Sequence, residues 1–245
     1  MPLILDILKM IRRELFGYIH YEIIIVDNGS NDRTEEIIEL QSRVHPHMKV
    51  IANKENYGIS KGKNQGIDAA IGKFILLLDG DILPVENSIK CLYCWLMDED
   101  NQDKDAIGFY PNRWSIQRNT ETQKHHETWC ERLFEPKPIE RACIFFGMFR
   151  RLVFDELALR MDDAGALGKE GYGWEDHDFY EQMKAVGVKQ WAAHINHVIG
   201  KYYHNINSSI RNMGYKKYTE TEKARESYFK NKWGENVKSN TPSAS

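Results

Sequence analysis

No stretch of this 245-residue chain is long and apolar enough to cross a bilayer. The nearest, Ile4–Ile11, is short and broken by Asp6 and Lys9. Met1-Pro2-Leu3 lacks the basic start and small-residue cleavage site of a secretory leader, so a cytoplasmic location is the expectation. Net charge is equally scarce: 33 Lys and Arg against 36 Asp and Glu leave −3. That is no basic field of the kind nucleic-acid binding requires, and no nucleic-acid partner is expected. Cysteine is limited to Cys91, Cys94, Cys130 and Cys143. The single Cys-x-x-Cys pair has no second pair to complete a tetrahedral zinc site. It lies in a stretch where Val85, Ile89, Leu92 and Leu96 share one helical face, which makes these cysteines neighbours of a core helix. There is no internal repeat. What is present, 42% hydrophobic and 28% charged residues, suits one sizeable α/β domain with a buried core.

Two continuous apolar runs, Ile23–Val26 and Phe74–Leu78, each stop at an aspartate. Short apolar runs without alternation suit strands buried on both faces, and parallel strands above all. Lys49–Ala52 is a third candidate strand. Between them lie helical patterns: Arg33 to Arg43, capped by Asp32, and a second opened by Ser60 and closed at Gly72. Pro84 is expected to open the next helix, because proline is tolerated in a first turn. The alternation predicts an α/β fold with a mostly parallel central sheet flanked by helices. From Gly108 to Pro138 the chain is polar and aromatic, and long loops with short strands are expected. Ala142–Phe146 (strand), Arg151–Leu159 (helix), Glu175–Val186 (helix) and Lys189–Ala193 (strand) follow. Tyr215–Trp233, charged with spaced aromatics, is expected to be a surface helix.

Ligands in open α/β sheets bind at the carboxyl ends of the parallel strands. Two such ends carry acids here: Asp27, in Val26-Asp27-Asn28-Gly29-Ser30, and Asp79-Gly80-Asp81. In an extended segment residues i and i+2 point the same way, so both carboxylates of the second motif can face one cation or one sugar hydroxyl. Hard divalent cations take carboxylate oxygens, and magnesium or manganese sites are often completed by substrate phosphates. Alone, the motif is equally a solvated turn. Gly58, Gly62 and Gly66, spaced by four, make a flat helical face that can approach a strand or a ligand closely, with Lys63 and Asn64 near the helix start, where anions are favoured. Simple helix–sheet packing explains those glycines equally well.

Taken in order, VDNGSNDRT, NYGISKGKNQG and FILLLDGDILP within Tyr21–Leu83 resemble glycosyltransferase family 2, inverting enzymes of the GT-A fold. Phe146-Gly147-Met148-Phe149-Arg150-Arg151-Leu152-Val153-Phe154 resembles the acceptor-side strand and helix start of that family. Gly171-Tyr172-Gly173-Trp174-Glu175-Asp176-His177-Asp178-Phe179 resembles its G-x-G-x-E-D segment. The resemblance covers about residues 5–205. It implies a donor half over 1–107 and an acceptor half over 108–205; with a helical segment over 206–238 these make one domain over 1–238, and the small, polar 239–245 tail is expected to be disordered.

The resemblance also implies roles. Asp27 and Asn28 would lie against base and ribose with Lys63 nearby, although many relatives carry two acids where this chain has Asp27-Asn28. Asp79 would approach the ribose or the metal, and Asp81 would ligate a divalent Mn2+ or Mg2+ ion, its shell completed by His204, with His197 as the alternative. Asp176 would be the general base and Glu175 would position the acceptor hydroxyl, with Gly147 and Trp174 on the acceptor side. The donor would be a nucleotide sugar, UDP-linked by preference, and the acceptor a hydroxyl of a glycan, lipid or protein. The chemistry agrees: a leaving nucleoside diphosphate needs a Lewis acid, and an attacking hydroxyl needs a carboxylate to take its proton.

Other features carry less. His125-His126-Glu127 suits a polar loop face better than a metal site. Trp114, Trp129 and Trp191 are as suited to a core as to sugar stacking. Lys216-Lys217 suits a solvated helix end, with a weak peripheral membrane contact as the alternative. Relatives normally begin with a strand that contacts the base, whereas Leu5–Leu15 here already matches the first helix. An open sheet edge beside Ile23–Val26, to be completed by another segment or a partner chain, is therefore expected. Two other readings remain: a GT-A-fold nucleotide- or carbohydrate-binding protein impaired in catalysis, and a nucleotidyltransferase. The latter lacks the glycine-rich basic loop it would need after its first strand.

Overall fold

The computed structural model describes residues 2–80, 82–84, 86–111, 136–139, 144–162, 174–195, 200–202 and 215–234. Asp81, His197, His204, His125, His126, Glu127, Trp114, Trp129, Cys130, Cys143 and the 239–245 tail lie outside them.

The chain opens with α1 (Pro2–Leu15), then alternates β1 (Ile23–Asp27), α2 (Thr34–Val44), β2 (Met48–Ala52), α3 (Ile59–Ala69) and β3 (Phe74–Leu78). A short β4 (Ile82–Pro84) leads to α4 (Ser88–Met97) and β5 (Ala106–Pro111). Next come β6 (Pro136–Pro138), β7 (Phe146–Arg150), the single turn α5 (Leu152–Asp155), α6 (Glu175–Ala185), β8 (Gln190–Ile195) and β9 (Gly200–Tyr202). The last helix, α7, spans Tyr215–Trp233.

The α/β architecture is as expected, but the pairing is less parallel. Strand β1 pairs in parallel with β2, and β5 in parallel with β8, whereas β7 runs antiparallel to both β3 and β5, and β6 antiparallel to β8. Strand β4 pairs antiparallel with β9. An uninterrupted apolar run reports burial on both faces, and a strand of either direction acquires it once helices cover both sides. All five residues of β7 are buried. Among the described residues the strands form a two-stranded sheet, β1-β2, and a five-stranded one, β3-β7-β5-β8-β6. One edge of β1 and one edge of β3 therefore have no strand partner there.

Alternation along the strands sorts side chains onto two faces. Ile75, Leu77 and Phe149 pack against Ile67 of α3, Val153 and Phe154 of α5, and Phe179 and Met183 of α6. Phe146 and Met148 face the other way, onto Leu15 of α1 and Ile89, Leu92 and Leu96 of α4. A third cluster joins Leu8 of α1 to Ile38 and Met48, over the β1-β2 pair. Helix α1 thus spans the split between the sheets, with Leu8 over one and Leu15 beside the other. Each such burial stabilises by about 1.5–3 kcal/mol.

Helix α4 starts at Ser88 and not at Pro84, which is instead the last residue of β4. The reason lies in α1. The Glu14 carboxylate accepts from the Ile89 amide at 3.1 Å and caps the helix from outside. Burial pushes the Glu14 carboxyl up to about 7, opposed by backbone N–H groups of residues 87 to 90. Helix α3 ends at Ala69, three residues before Gly72, and Ser60 lies inside it and not at its cap.

Candidate active site

The site is built on the ends of β1 and β3 and the start of α6. At the first, Asp27 is 6% exposed and accepts from the Ser30 amide at 3.0 Å. Gly29 has φ +79, and a Cβ there would come within 2.5 Å of the Glu55 carbonyl carbon, so no side chain fits. The Asn28 side chain organises the facing loop. Its Nδ2 donates to Asn56 Oδ1 at 2.9 Å and to the Gly58 carbonyl at 3.0 Å. Its Oδ1 accepts from Asn53 Nδ2 at 3.1 Å and the Tyr57 amide at 3.0 Å. A carboxylate could accept the last two bonds but donate neither of the first two. The Asp-Asn sequence here is therefore matched to its own loop.

The glycine face of α3 lies on β1. A Cβ on Gly62 would touch Asn28 Nδ2 at 3.5 Å, and one on Gly66 would touch Val26 Cγ2 at 3.5 Å. Helix–strand packing accounts for the spacing. That packing sends Lys63 to the other strand end, where its Nζ forms an ion pair with Asp79 and donates to the Ile144 carbonyl at 2.7 Å. Asn64 grips the Met161 backbone at both its N–H and its carbonyl, at 3.0 and 2.8 Å. Asp79 is held by its amide, which donates to the Phe145 carbonyl at 2.8 Å, and Gly80 faces open space.

At the third corner, Trp174 takes a left-handed conformation, φ 71, and α6 begins with Glu175, Asp176 and Asp178 in its first turn. Three acids at a helix N-terminus suit the macrodipole. Glu175 and Asp178 are buried while Asp176 between them is half-buried. Burial raises the Glu175 carboxyl above its ordinary range and neighbouring Asp176 adds to that, while Arg225 and Lys63 oppose it. Trp174, 5% exposed, stacks on Phe229 with ring centroids 6.0 Å apart and lies 5.0 Å from His177, the position of a packed wall. Gly147 sits inside β7, between Leu77 and Gly108. Trp191 packs against Trp95 at 5.8 Å.

The C-terminal helix, α7, does lie on the surface, with Lys217, Glu220, Lys223, Ser227 and Asn231 exposed, but its inner stripe buries Arg225 and Phe229 completely or nearly so, at 0% and 1% exposure. Arg225 Nη1 lies 3.5 Å from Glu175 Oε2. Lys232 Nζ reaches Asp178 at 2.8 Å and Asp162 at 2.5 Å. Trp233 Nε1 donates to Asp178 at 2.7 Å, and Gln182 Nε2 donates to its other oxygen at 2.6 Å. Tyr228 donates its hydroxyl to Asp162 at 2.9 Å. Burial works against the Lys232 charge, yet hydrogen bonds to Asp162 and Asp178 carry its pKa up. A signal was present: 225, 229, 232 and 233 recur at i, i+4, i+7 and i+8, one stripe of a helix. Lys217, by contrast, is exposed.

For a cation, the donor chemistry fits: Asp79 stands at a strand end beside open space at Gly80, next to Asp81 in sequence. Among the described residues there is no group of three or more metal-ligating side chains, and Asp81 and His204 lie outside them. No helix among the described residues is long and apolar enough to cross a membrane.

The family model described as "Glycosyl transferase family 2" matches residues 2–157. "Glycosyltransferase GlyG" of Streptococcus pneumoniae is 36% identical over 98 residues, 39% of this chain and 31% of that protein. Among solved structures, S. aureus TarS in complex with UDP-GlcNAc superposes with a TM-score of 0.53 at 17% identity, covering 80% of this chain and 56% of that one. The mannosyltransferase PcManGT from Pyrobaculum calidifontis, in complex with GDP-Man and Mn2+, gives a TM-score of 0.56 at 16% identity, covering 84% and 55%. The chain thus spans little more than half of these solved chains, and its match spans about a third of GlyG. At such identities the structural matches establish a shared fold, the GT-A fold.

Proposed function

Because this chain belongs to glycosyltransferase family 2, we propose that it moves a sugar from a nucleoside-diphosphate sugar to an acceptor hydroxyl, with inversion at the anomeric carbon. The observation that carries this reading is the placing of Lys63. Its ammonium pairs with Asp79 at the end of β3 and donates to the Ile144 carbonyl, and its charge acts also on Glu175 at the start of α6, though less than burial does. A strand-end acid and a helix-start acid so joined are what one donor and one acceptor, brought together at a single centre, require.

Asp27, Asn28 and Lys63 belong to the nucleotide-sugar side, and Asn28 acts there by shaping the 53–58 loop. Asp79 and Asp81, with His204, would hold a divalent cation, Mn2+ or Mg2+; when bound, it supplies Lewis-acid stabilisation of the leaving diphosphate. Asp176 takes the acceptor proton as the acceptor oxygen bonds to the anomeric carbon and the bond from that carbon to the diphosphate oxygen breaks. Glu175 positions the hydroxyl, and Trp174 and Gly147 border the acceptor side. Complexes of fold neighbours with UDP-GlcNAc and with GDP-Man and Mn2+ support a sugar nucleotide and a metal in general terms. A UDP-linked donor and a glycan, lipid or protein acceptor complete the reading.

The test is nucleotide release from a panel of UDP- and GDP-sugars with Mn2+. Asp176→Asn is expected to lower transfer by about 10²- to 10⁴-fold while sugar-nucleotide binding persists. Full transfer in that variant would refute the base assignment. A second reading, a binding protein of the same fold without turnover, is favoured by the edges of β1 and β3 that have no strand partner among the described residues. Donor binding without any release would select it.

A further inference from the structure

Three buried or half-buried acids open α6, and α7 meets the two buried ones with cations. We propose that Arg225 is a positioning residue that holds the Glu175 carboxylate in place for the acceptor, making α7 a working part of the active site. The inference rests on the assignment of Glu175 and Asp176 to the acceptor side.

Arg225 has no exposed surface, and its Nη1 stands 3.5 Å from Glu175 Oε2, a side chain itself only 10% exposed. The two lie 50 residues apart in the chain, on different helices. Phe229, one turn along α7, stacks on Trp174, which immediately precedes Glu175. An aliphatic side chain in that slot would avoid the desolvation of a guanidinium and often stabilises a fold as well as a buried ion pair does. Packing alone therefore gives little reason for arginine there. The acid opposite does, since a buried carboxylate beside a second acid stays charged and oriented when a fixed cation faces it.

The register of α7 is set independently of this pair. Lys232 and Trp233 grip Asp178, and Tyr228 and Lys232 grip Asp162. With Phe229 between these anchors and Arg225, the guanidinium is carried to the first turn of α6 by a helix already fixed elsewhere. Arg225 and Lys232 are matched to the buried Glu175 and Asp178, and the half-buried Asp176 between them is the acid left facing outward for proton transfer. Among the described residues, the charged groups acting on Glu175 are Asp176 on its own helix, Arg225 on α7 and Lys63 on α3.

The experiment uses the full chain with UDP-GlcNAc and GDP-Man as donors and Mn2+, following nucleotide release and donor binding separately. Arg225→Met is expected to lower kcat at least tenfold with donor KM and binding changed less than twofold, and Arg225→Lys to restore most of the loss. In a Glu175→Gln background, Arg225→Met should add no further loss. An unchanged kcat in folded Arg225→Met, losses that multiply in the double variant, or no rescue by lysine would overturn the proposal. If Arg225→Met does not fold, Arg225→Lys carries the test, with full activity expected to fall between those of the wild type and Glu175→Gln. Should the wild-type chain release no nucleotide, the glycosyltransferase reading fails first, and the Arg225–Glu175 pairing is read by carbon NMR of the Glu175 carboxyl. Its titration midpoint should rise on removing the guanidinium; an unmoved midpoint rejects the pairing itself.

Discussion

Asp79 and Glu175 are both acids set against a cation, yet the two ends of the site are made differently. Asp79 is paired with Lys63, 16 residues upstream, and its side chain remains 26% exposed. Glu175 is paired with Arg225, 50 residues downstream, on a helix that buries the guanidinium entirely. The Asp79 end, proposed above as the donor side, is a local construction of strand, helix and strand, with its acid partly exposed. The Glu175 end, proposed as the acceptor side, is a long-range one, in which buried acids depend on α7 for their counter-charges. An exposed or half-exposed pair contributes little to stability, whereas a buried one leaves a stranded charge when one partner goes.

The largest test of that contrast is Asp178→Ala. It would leave Trp233 and Gln182 without their acceptor and Lys232 with Asp162 alone, and a loss of about 2–4 kcal/mol in urea unfolding is expected. A loss below about 1 kcal/mol would show that the inner stripe of α7 is not buried after all. Within the proposed donor end, Asn28→Asp removes two donated bonds and is expected to cost about 1–3 kcal/mol by the same measurement, with weaker sugar-nucleotide binding. Asp79→Asn leaves Lys63, 12% exposed, an amide oxygen and the Ile144 carbonyl in place of a carboxylate, so a stability loss of about 1–2 kcal/mol, smaller than that of Asp178→Ala, is expected while nucleotide release collapses. A stability loss as large as that of Asp178→Ala would erase the distinction between the two ends.

A pH titration separates burial from location. Glu14 is a buried acid on α1 that faces the start of α4, and its folded-state pKa, about 7, lies above its value in the unfolded chain. Its contribution to stability is therefore fully present below about pH 4.5 and is lost as pH rises through about 7. In Glu14→Gln the unfolding free energy should lose that part of its downward slope between those pH values. An unaltered slope would place the titration elsewhere.

Much of the construction around Asp27 and Asp79 was legible in the sequence alone. Apolar runs that stop at Asp27 and Asp79, glycines spaced by four in α3 and a lysine beside them are short-range signals, each decided within one or two turns or strands. Strand direction was not, because two-sided burial leaves the same apolar run in β7 whichever way it points. Nor was the start of α4, which is capped by a carboxylate from α1 and not by a neighbour in sequence. The stripe of Arg225, Phe229, Lys232 and Trp233 was visible, but charged residues on a helix ordinarily face water, and only a matching row of buried acids makes them inward-facing.

The sequence by itself determined the family, the α/β order of elements and the acids at the strand ends and the helix start, since these depend on periodicity and on motifs a few residues long. Tertiary structure alone decided that the sheet splits between β1 and β3, that Lys63 turns to Asp79, and that α7 supplies the cations for Glu175 and Asp178. Those outcomes depend on which distant segments share a low-dielectric space, where an unmatched charge is costly, and partners 50 residues apart meet only once the chain has folded.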